Sequence, residues 1–328
     1  MASRTRRSPD LPRLLARAAP AAAVAALGYG ALQLAWALGR PPAFGRFGTD
    51  LLVFPRWGAV LLCAAAAPLA AAVGRAGRPR LPLLLGAWLV SGALLVCCPF
   101  LLLDAVGLAL PGMRIPFNLP GLLSRAACAA VAGLLALAAL GYRRRAWGDC
   151  PRCGRTGAPH GGGPAARPPR GAWWAAYGAV ACCWLRIAAQ YGLGLGSPGP
   201  VQPARAASLA VFEAGFLLAG TALPLSLVHR WGRTVPQRVP LLGGRAVPRL
   251  LVLLPAVLVS AGLLVYFGVG IGQLTAETLH PHPARPGDLP HAFLWVAMPA
   301  YWCWGLGLAL AAVSFHRRTR TPCPDCGR

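Results

Sequence analysis

Eight stretches of this sequence stay apolar for about the length that a helix needs to cross a lipid bilayer, and no other feature limits its possible folds so strongly. A hydrocarbon core about 30 Å thick takes about 20 residues rising 1.5 Å each. Residues 81–103, 250–271 and 292–315 contain no charged residue at all. Residues 18–38, 51–73, 122–142, 173–191 and 206–228 complete the set, several with one charge near an end, as in Arg56, Arg125, Arg186 and Glu213. With 56% hydrophobic against 12% charged residues and a mean hydropathy of +0.55, the chain lies outside the range of water-soluble domains. The expected fold is all-α, a polytopic integral membrane protein of about eight transmembrane helices.

A net charge of +24 would point to nucleic acid in a soluble protein. The positions of the charges point elsewhere. There is no Lys, and 24 of the 32 Arg fall in alternate inter-block segments: from Arg4 to Arg17, Arg75 to Arg80, Arg143 to Arg170, Arg230 to Arg249 and Arg317 to Arg328. This is the positive-inside bias, which places both termini in the cytoplasm of a plasma-membrane protein. The expected partner of these Arg is a bilayer with anionic headgroups, not nucleic acid. GC-rich coding also raises Ala, Arg and Pro usage, so Ala richness alone is no sign of close helix packing.

The blocks repeat. Tyr29-Gly30-Ala31 with Trp36 matches Tyr177-Gly178-Ala179 with Trp184 at an offset of 148, and Ala67-Pro68-Leu69 resembles Leu223-Pro224-Leu225. The run from Leu89 to Val96 resembles that from Leu258 to Val265. Residues 135–155 align without a gap to 308–328 at an offset of 173, with 12 of 21 identical. The expected organisation is a cytoplasmic segment (1–17), a four-helix repeat (18–155), a Gly/Pro/Arg-rich linker (156–171) and a second four-helix repeat (172–328). Because block one takes part, it is expected to be a retained helix, not a cleaved signal. An even number of spans per repeat makes the two repeats parallel, related by an approximate two-fold axis along the membrane normal.

Each repeat ends in Cys-Pro-x-Cys-Gly-Arg. A C-x2-C turn lets two thiolates chelate one ion, and two such turns supply the four tetrahedral ligands of a structural Zn2+. Cys150, Cys153, Cys323 and Cys326 are therefore the candidate metal ligands. The two turns resemble the knuckles of zinc-ribbon proteins over about six residues each, but Cys153 and Cys323 are 169 apart by count of intervening residues, where a ribbon has roughly 15–20. A shared zinc clasp, a redox dithiol without a surrounding thioredoxin pattern, and two separate knuckles remain open. The other seven cysteines lie in apolar blocks and read as small core residues.

Glu213 is the acid deepest inside a block, about seven residues or roughly 10 Å from its outer end. An ionisable group there needs a partner or a function. Arg186, at similar depth on the preceding block, and Arg56, in the matching block of the first repeat, are the candidate partners. Pairing, a proton or substrate site, and an outer vestibule all remain open. Glu277, His280, His282, Asp288 and His291 share one loop and read as solvated. No phosphate loop, nucleophile elbow or His-Glu-x-x-His is present.

The run Tyr29-Gly-Ala-x4-Trp-Ala-Leu-Gly39 resembles the uncharacterised multi-span membrane proteins of high-GC actinobacteria, a resemblance that implies no activity. The expectation is a non-catalytic membrane protein with a structural cytoplasmic zinc site clamping two repeats. The alternative is a small-solute permease or exporter with its site between them.

Overall fold

The computed structural model describes residues 11–39, 41–44, 50–113, 115, 118–150, 153–155, 167–195, 203–238, 243–280, 289–320, 323 and 326. Residues 1–10 of the expected N-terminal segment and 156–166 of the expected linker lie outside them. Among the described residues the chain is all-helical, with one isolated antiparallel bridge between Thr234 and Ala246. The helices are α1 (Leu11–Leu38), α2 (Trp57–Arg75), α3 (Leu81–Cys97), α4 (Leu101–Ala109), α5 (Leu119–Ala146), α6 (Arg170–Gly192), α7 (Pro203–Leu217), α8 (Leu223–Val228), α9 (Arg249–Leu279) and α10 (His291–Arg318).

Six helical stretches are long and apolar enough to cross a membrane: 12–38, 57–75, 119–146, 206–228, 249–279 and 291–318. A seventh forms if α3 and α4, bent by 48° at their junction, make one broken span. The break has a local cause: Pro99 disfavours helical geometry at the residue before it, and Cys98 sits at φ −115, ψ 50. The block at 173–191 forms α6, a 23-residue helix. Trp173, Trp174, Tyr177, Trp184 and Tyr191, together with Arg186 and Gln190, lower its hydropathy and keep it out of that group.

The outward surface is what makes this a membrane protein. Leu61, Leu89 and Leu250 are each about 70% exposed (68%, 72% and 73%), and Leu81, Leu85 and Leu89 form an exposed stripe one turn apart along α3. A surface this apolar has its favourable solvent in lipid, not water.

Inside, the helices meet through small residues. On α2 the buried set is Ala59, Cys63, Ala66, Ala67, Ala70 and Val73, facing Ala18, Ala22 and Ala26 of α1. A Cβ added to Gly30 would come 2.9 Å from Cys63 Cβ. The abundant Ala therefore does serve close packing here, as dispersion-driven association in lipid requires.

Two compact units result. The first comprises Met1–Leu101, Pro116–Gly161 and Pro322–Arg328, the second Leu102–Ile115 and Gly162–Thr321. In the first, α1 packs on α2 and α5, while α3 packs on α5 and α2. In the second, α6 packs on α8 and α10, while α9 packs on α10 and α8. Between α7 and α8 the backbone widens into one π turn, Leu218–Ala222, closed by Leu223 N–H donating to Leu218 O. Pro224 explains its position, since it has no N–H for the carbonyl one α-turn back.

Candidate metal centre

The end of α5 sets up the first thiol pair. Trp147 N–H donates to Arg143 O and its ring meets Tyr142 edge-on at 5.8 Å. Gly148, at φ 69, then turns the chain out of the helix, a conformation that costs glycine little. Asp149 follows, buried, with its carboxylate 3.9 Å from Arg143 Nε. The C-x2-C turn closes on itself: Gly154 N–H donates to Cys150 O at 2.7 Å and Cys150 N–H to Arg155 O at 3.0 Å. Gly154 also has a positive φ of 68, and a Cβ there would lie 2.8 Å from Arg144 Nε, so the Arg144 guanidinium rests against the turn.

Into this turn the C-terminal segment delivers Cys323 and Cys326, which belong to the same compact unit. Cys150 Sγ lies 3.9 Å from Cys323 Sγ, and Cys153 Sγ lies 3.5 Å from Cys326 Sγ. All four sulfurs fall within 4.8 Å of one another, and none of the four cysteines is in a disulfide. A tetrahedral ion with bonds of about 2.3 Å to sulfur needs sulfurs about 3.8 Å apart. The four thiols thus lie close enough to hold one metal ion, and the thiolate set selects a soft or borderline one. The partners in each close pair are the residues that the 173-residue offset makes equivalent.

The thiol chemistry of the cluster makes metal binding proton-coupled. Burial pushes the Cys153 thiol up to about 12, opposed by a backbone hydrogen bond from Arg155 and reinforced by Cys150, Cys326 and Cys323. At neutral pH the thiol is protonated, so a metal must displace protons to bind. The guanidinium of Arg144 offsets part of the negative charge that a tetrathiolate ion carries.

The other candidates lie apart. Glu213 is exposed on α7. Arg186 lies over the rings of Phe216 and Tyr301, at 5.2 and 5.5 Å, with its Nε buried and unpartnered, and no ion pair joins it to Glu213. Arg56 is exposed where α2 begins, at φ 54. Glu277, His280 and His291 are exposed, but Glu277 lies in the last turn of α9 and His291 begins α10, so they do not share a loop as expected; His282 and Asp288 lie outside the described residues. Of the remaining cysteines, Cys63, Cys97, Cys98, Cys128 and Cys183 are buried and Cys182 is half-buried. Cys303 departs from the expectation, being exposed on α10.

Sequence reasoning missed a buried polar network in the first unit. Asp50 Oδ2 accepts hydrogen bonds from Gln33 Nε2 and Ser124 Oγ, both at 2.6 Å, and Gln33 also donates to Tyr29 Oη at 2.8 Å. Arg125 Nη1 donates to the Asp50 carbonyl at 3.1 Å. Asp50, Gln33, Ser124 and Arg125 are each at most 3% exposed. Tyr29 and Gln33, one turn apart on α1, were the available signal. Asp50 escaped because it stands one residue outside an apolar block.

Compared with known proteins, the chain matches no family model, no curated protein and no solved structure.

Proposed function

We propose that this chain is a non-catalytic, multi-pass protein of the plasma membrane, whose cytoplasmic face carries one structural Zn2+ held by Cys150, Cys153, Cys323 and Cys326. The ion ties the C-terminal segment to the end of α5 and so closes a two-repeat helical body into one assembly. The observation that carries this reading is the convergence of the four sulfurs within 4.8 Å. Zinc is preferred over other thiolate-loving ions because four Cys in two C-x2-C turns make the usual closed structural site, and the ion has no redox chemistry to protect. The resemblance of the two turns to zinc-ribbon knuckles points the same way.

The span count is compatible with a shared site. Residues at one site sit on one side of the membrane, so the chain crosses an even number of times between Cys153 and Cys323. Three strong spans lie between them, 206–228, 249–279 and 291–318. The fourth crossing falls to α6, whose 23 residues give about 34 Å. Before Cys150 come α1, α2, the broken pair α3 and α4, and α5, again four. This 4+4 count, the equivalent packing order of the two units and the Arg distribution all favour parallel repeats with cytoplasmic termini. The permease alternative rests on Glu213, for which no comparable observation speaks.

Metal analysis of the protein purified under reducing conditions is expected to give about one zinc per chain, by the four-ligand count. A Cys150→Ser, Cys323→Ser double variant should lose it. Acidification should release zinc steadily from the wild type, since protons compete for the thiolates and none of them binds metal when protonated. Wild-type protein that carries no zinc would remove the clasp.

A further inference from the structure

Where α2 hands over to α3, the first unit opens a cleft of about 510 Å³ lined by Arg75, Arg78 and Arg80, with Ala72 and Leu83 on its apolar walls. No acidic side chain lines it. Three exposed guanidiniums around one hollow repel one another unless an anion lies between them. Guanidinium forks match phosphate oxygens in geometry as well as charge.

The cleft is held in shape. Tyr142, fully buried on α5, donates its hydroxyl to Arg78 O and accepts from Arg80 N–H, both at 2.8 Å. Arg145 Nη2 donates to Val73 O at 3.0 Å and fixes the end of α2. The loop therefore presents its arginines from a fixed backbone. At the same level α3 starts, with Leu81 and Leu85 exposed at 58% and 51%, so an apolar surface runs away from the cationic mouth along the helix.

We propose that this cleft binds the phosphate of an anionic phospholipid, with the headgroup among the three arginines and an acyl chain along α3. Its volume suits a headgroup and not only a bare ion. The apolar stripe is what favours lipid over free phosphate. The proposal rests on α2 and α3 being membrane spans and not on the zinc site, and zinc content serves as the check that a variant is folded.

The test is native mass spectrometry of the full chain, exchanged into phosphatidylglycerol or phosphatidylcholine, with zinc measured in parallel. Phosphatidylglycerol should be retained and phosphatidylcholine lost. A Arg75→Gln, Arg78→Gln, Arg80→Gln variant should retain about tenfold less phosphatidylglycerol with unchanged zinc. The control triple Arg238→Gln, Arg245→Gln, Arg317→Gln removes the same charge from exposed positions elsewhere and should leave retention within about twofold. Tyr142→Phe should weaken retention with all three arginines in place. Equal losses in both triples would reduce the site to diffuse charge and overturn the proposal. Displacement of the lipid by excess inorganic phosphate would overturn it in favour of a free anion.

Discussion

The two units pack their helices in the same order, yet fill their interiors with opposite chemistry. In the first, Tyr29, Gln33, Asp50 and Ser124 share a closed set of hydrogen bonds. In the second, Phe267 stacks on Tyr301, Phe216 meets Tyr301 and Trp304 edge-on, and one cation, Arg186, lies over the rings of Phe216 and Tyr301. What stays constant is what sets helix spacing and ends. Arg145 donates to Val73 O in the first unit, and its equivalent Arg318 donates to Leu227 O in the second. Arg145 on α5 and Arg318 on α10 thus each satisfy a carbonyl left open at a helix end, that of α2 and that of α8. Helix packing tolerates an exchange of polar for aromatic filling provided that every buried donor and acceptor is met on the polar side.

The largest effect should come from breaking the polar interior. Asp50→Ala removes the acceptor of two buried donors and leaves Gln33 and Ser124 competing for what remains. The expected loss is about 3 kcal/mol of stability, read as thermal unfolding in detergent. Asp50→Asn keeps an acceptor in place and should lose about half as much. A loss below about 1 kcal/mol for Asp50→Ala would show that the network does not hold the first unit together.

The shared feature should respond in parallel. Arg145→Ala and Arg318→Ala each forfeit a charged hydrogen bond to an open helix carbonyl, and each should cost about 1.5 kcal/mol. The comparison sharpens if the two losses agree within about 0.5 kcal/mol. If one is large and the other negligible, the helix ends are not built alike and the parallel between the units fails at that point.

Much of this was legible from residues alone. The apolar blocks pointed to an all-helical chain with several helices long enough to cross a bilayer, of which six qualify, or seven with the bent pair, and the two Cys-Pro-x-Cys-Gly-Arg turns pointed to the cluster of four thiols. Two things were hidden. The depth of a side chain in a span says nothing of which way it faces: Glu213, deep in its block, is exposed, while Asp50, outside its block, is buried. And hydropathy cannot see that an aromatic-rich helix such as α6 packs on both α8 and α10, because it does so through the small residues Ala172, Ala176, Ala179 and Cys183 while Trp174, Trp184 and Tyr191 are exposed.

Arg186 offers the smallest expected effect and the most pointed check on the contrast between the interiors. Its guanidinium gains from two rings but keeps a buried Nε with no partner. Cation–π attraction of about 1 kcal/mol per ring is set against the cost of desolvating an incompletely bonded cation, about the same size. Arg186→Met keeps the volume and contact with the rings and removes the charge, so stability should shift by less than about 1 kcal/mol in either direction. Double-variant cycles with Phe216→Leu should then show coupling in the arginine background and little in the methionine one. A loss of about 3 kcal/mol or more for Arg186→Met would mean that the cation has an anionic counterpart, since only breaking a buried charge pair or network costs so much. The second interior would then be held by the same principle as the first, and the aromatic filling would be its lining and not its substitute.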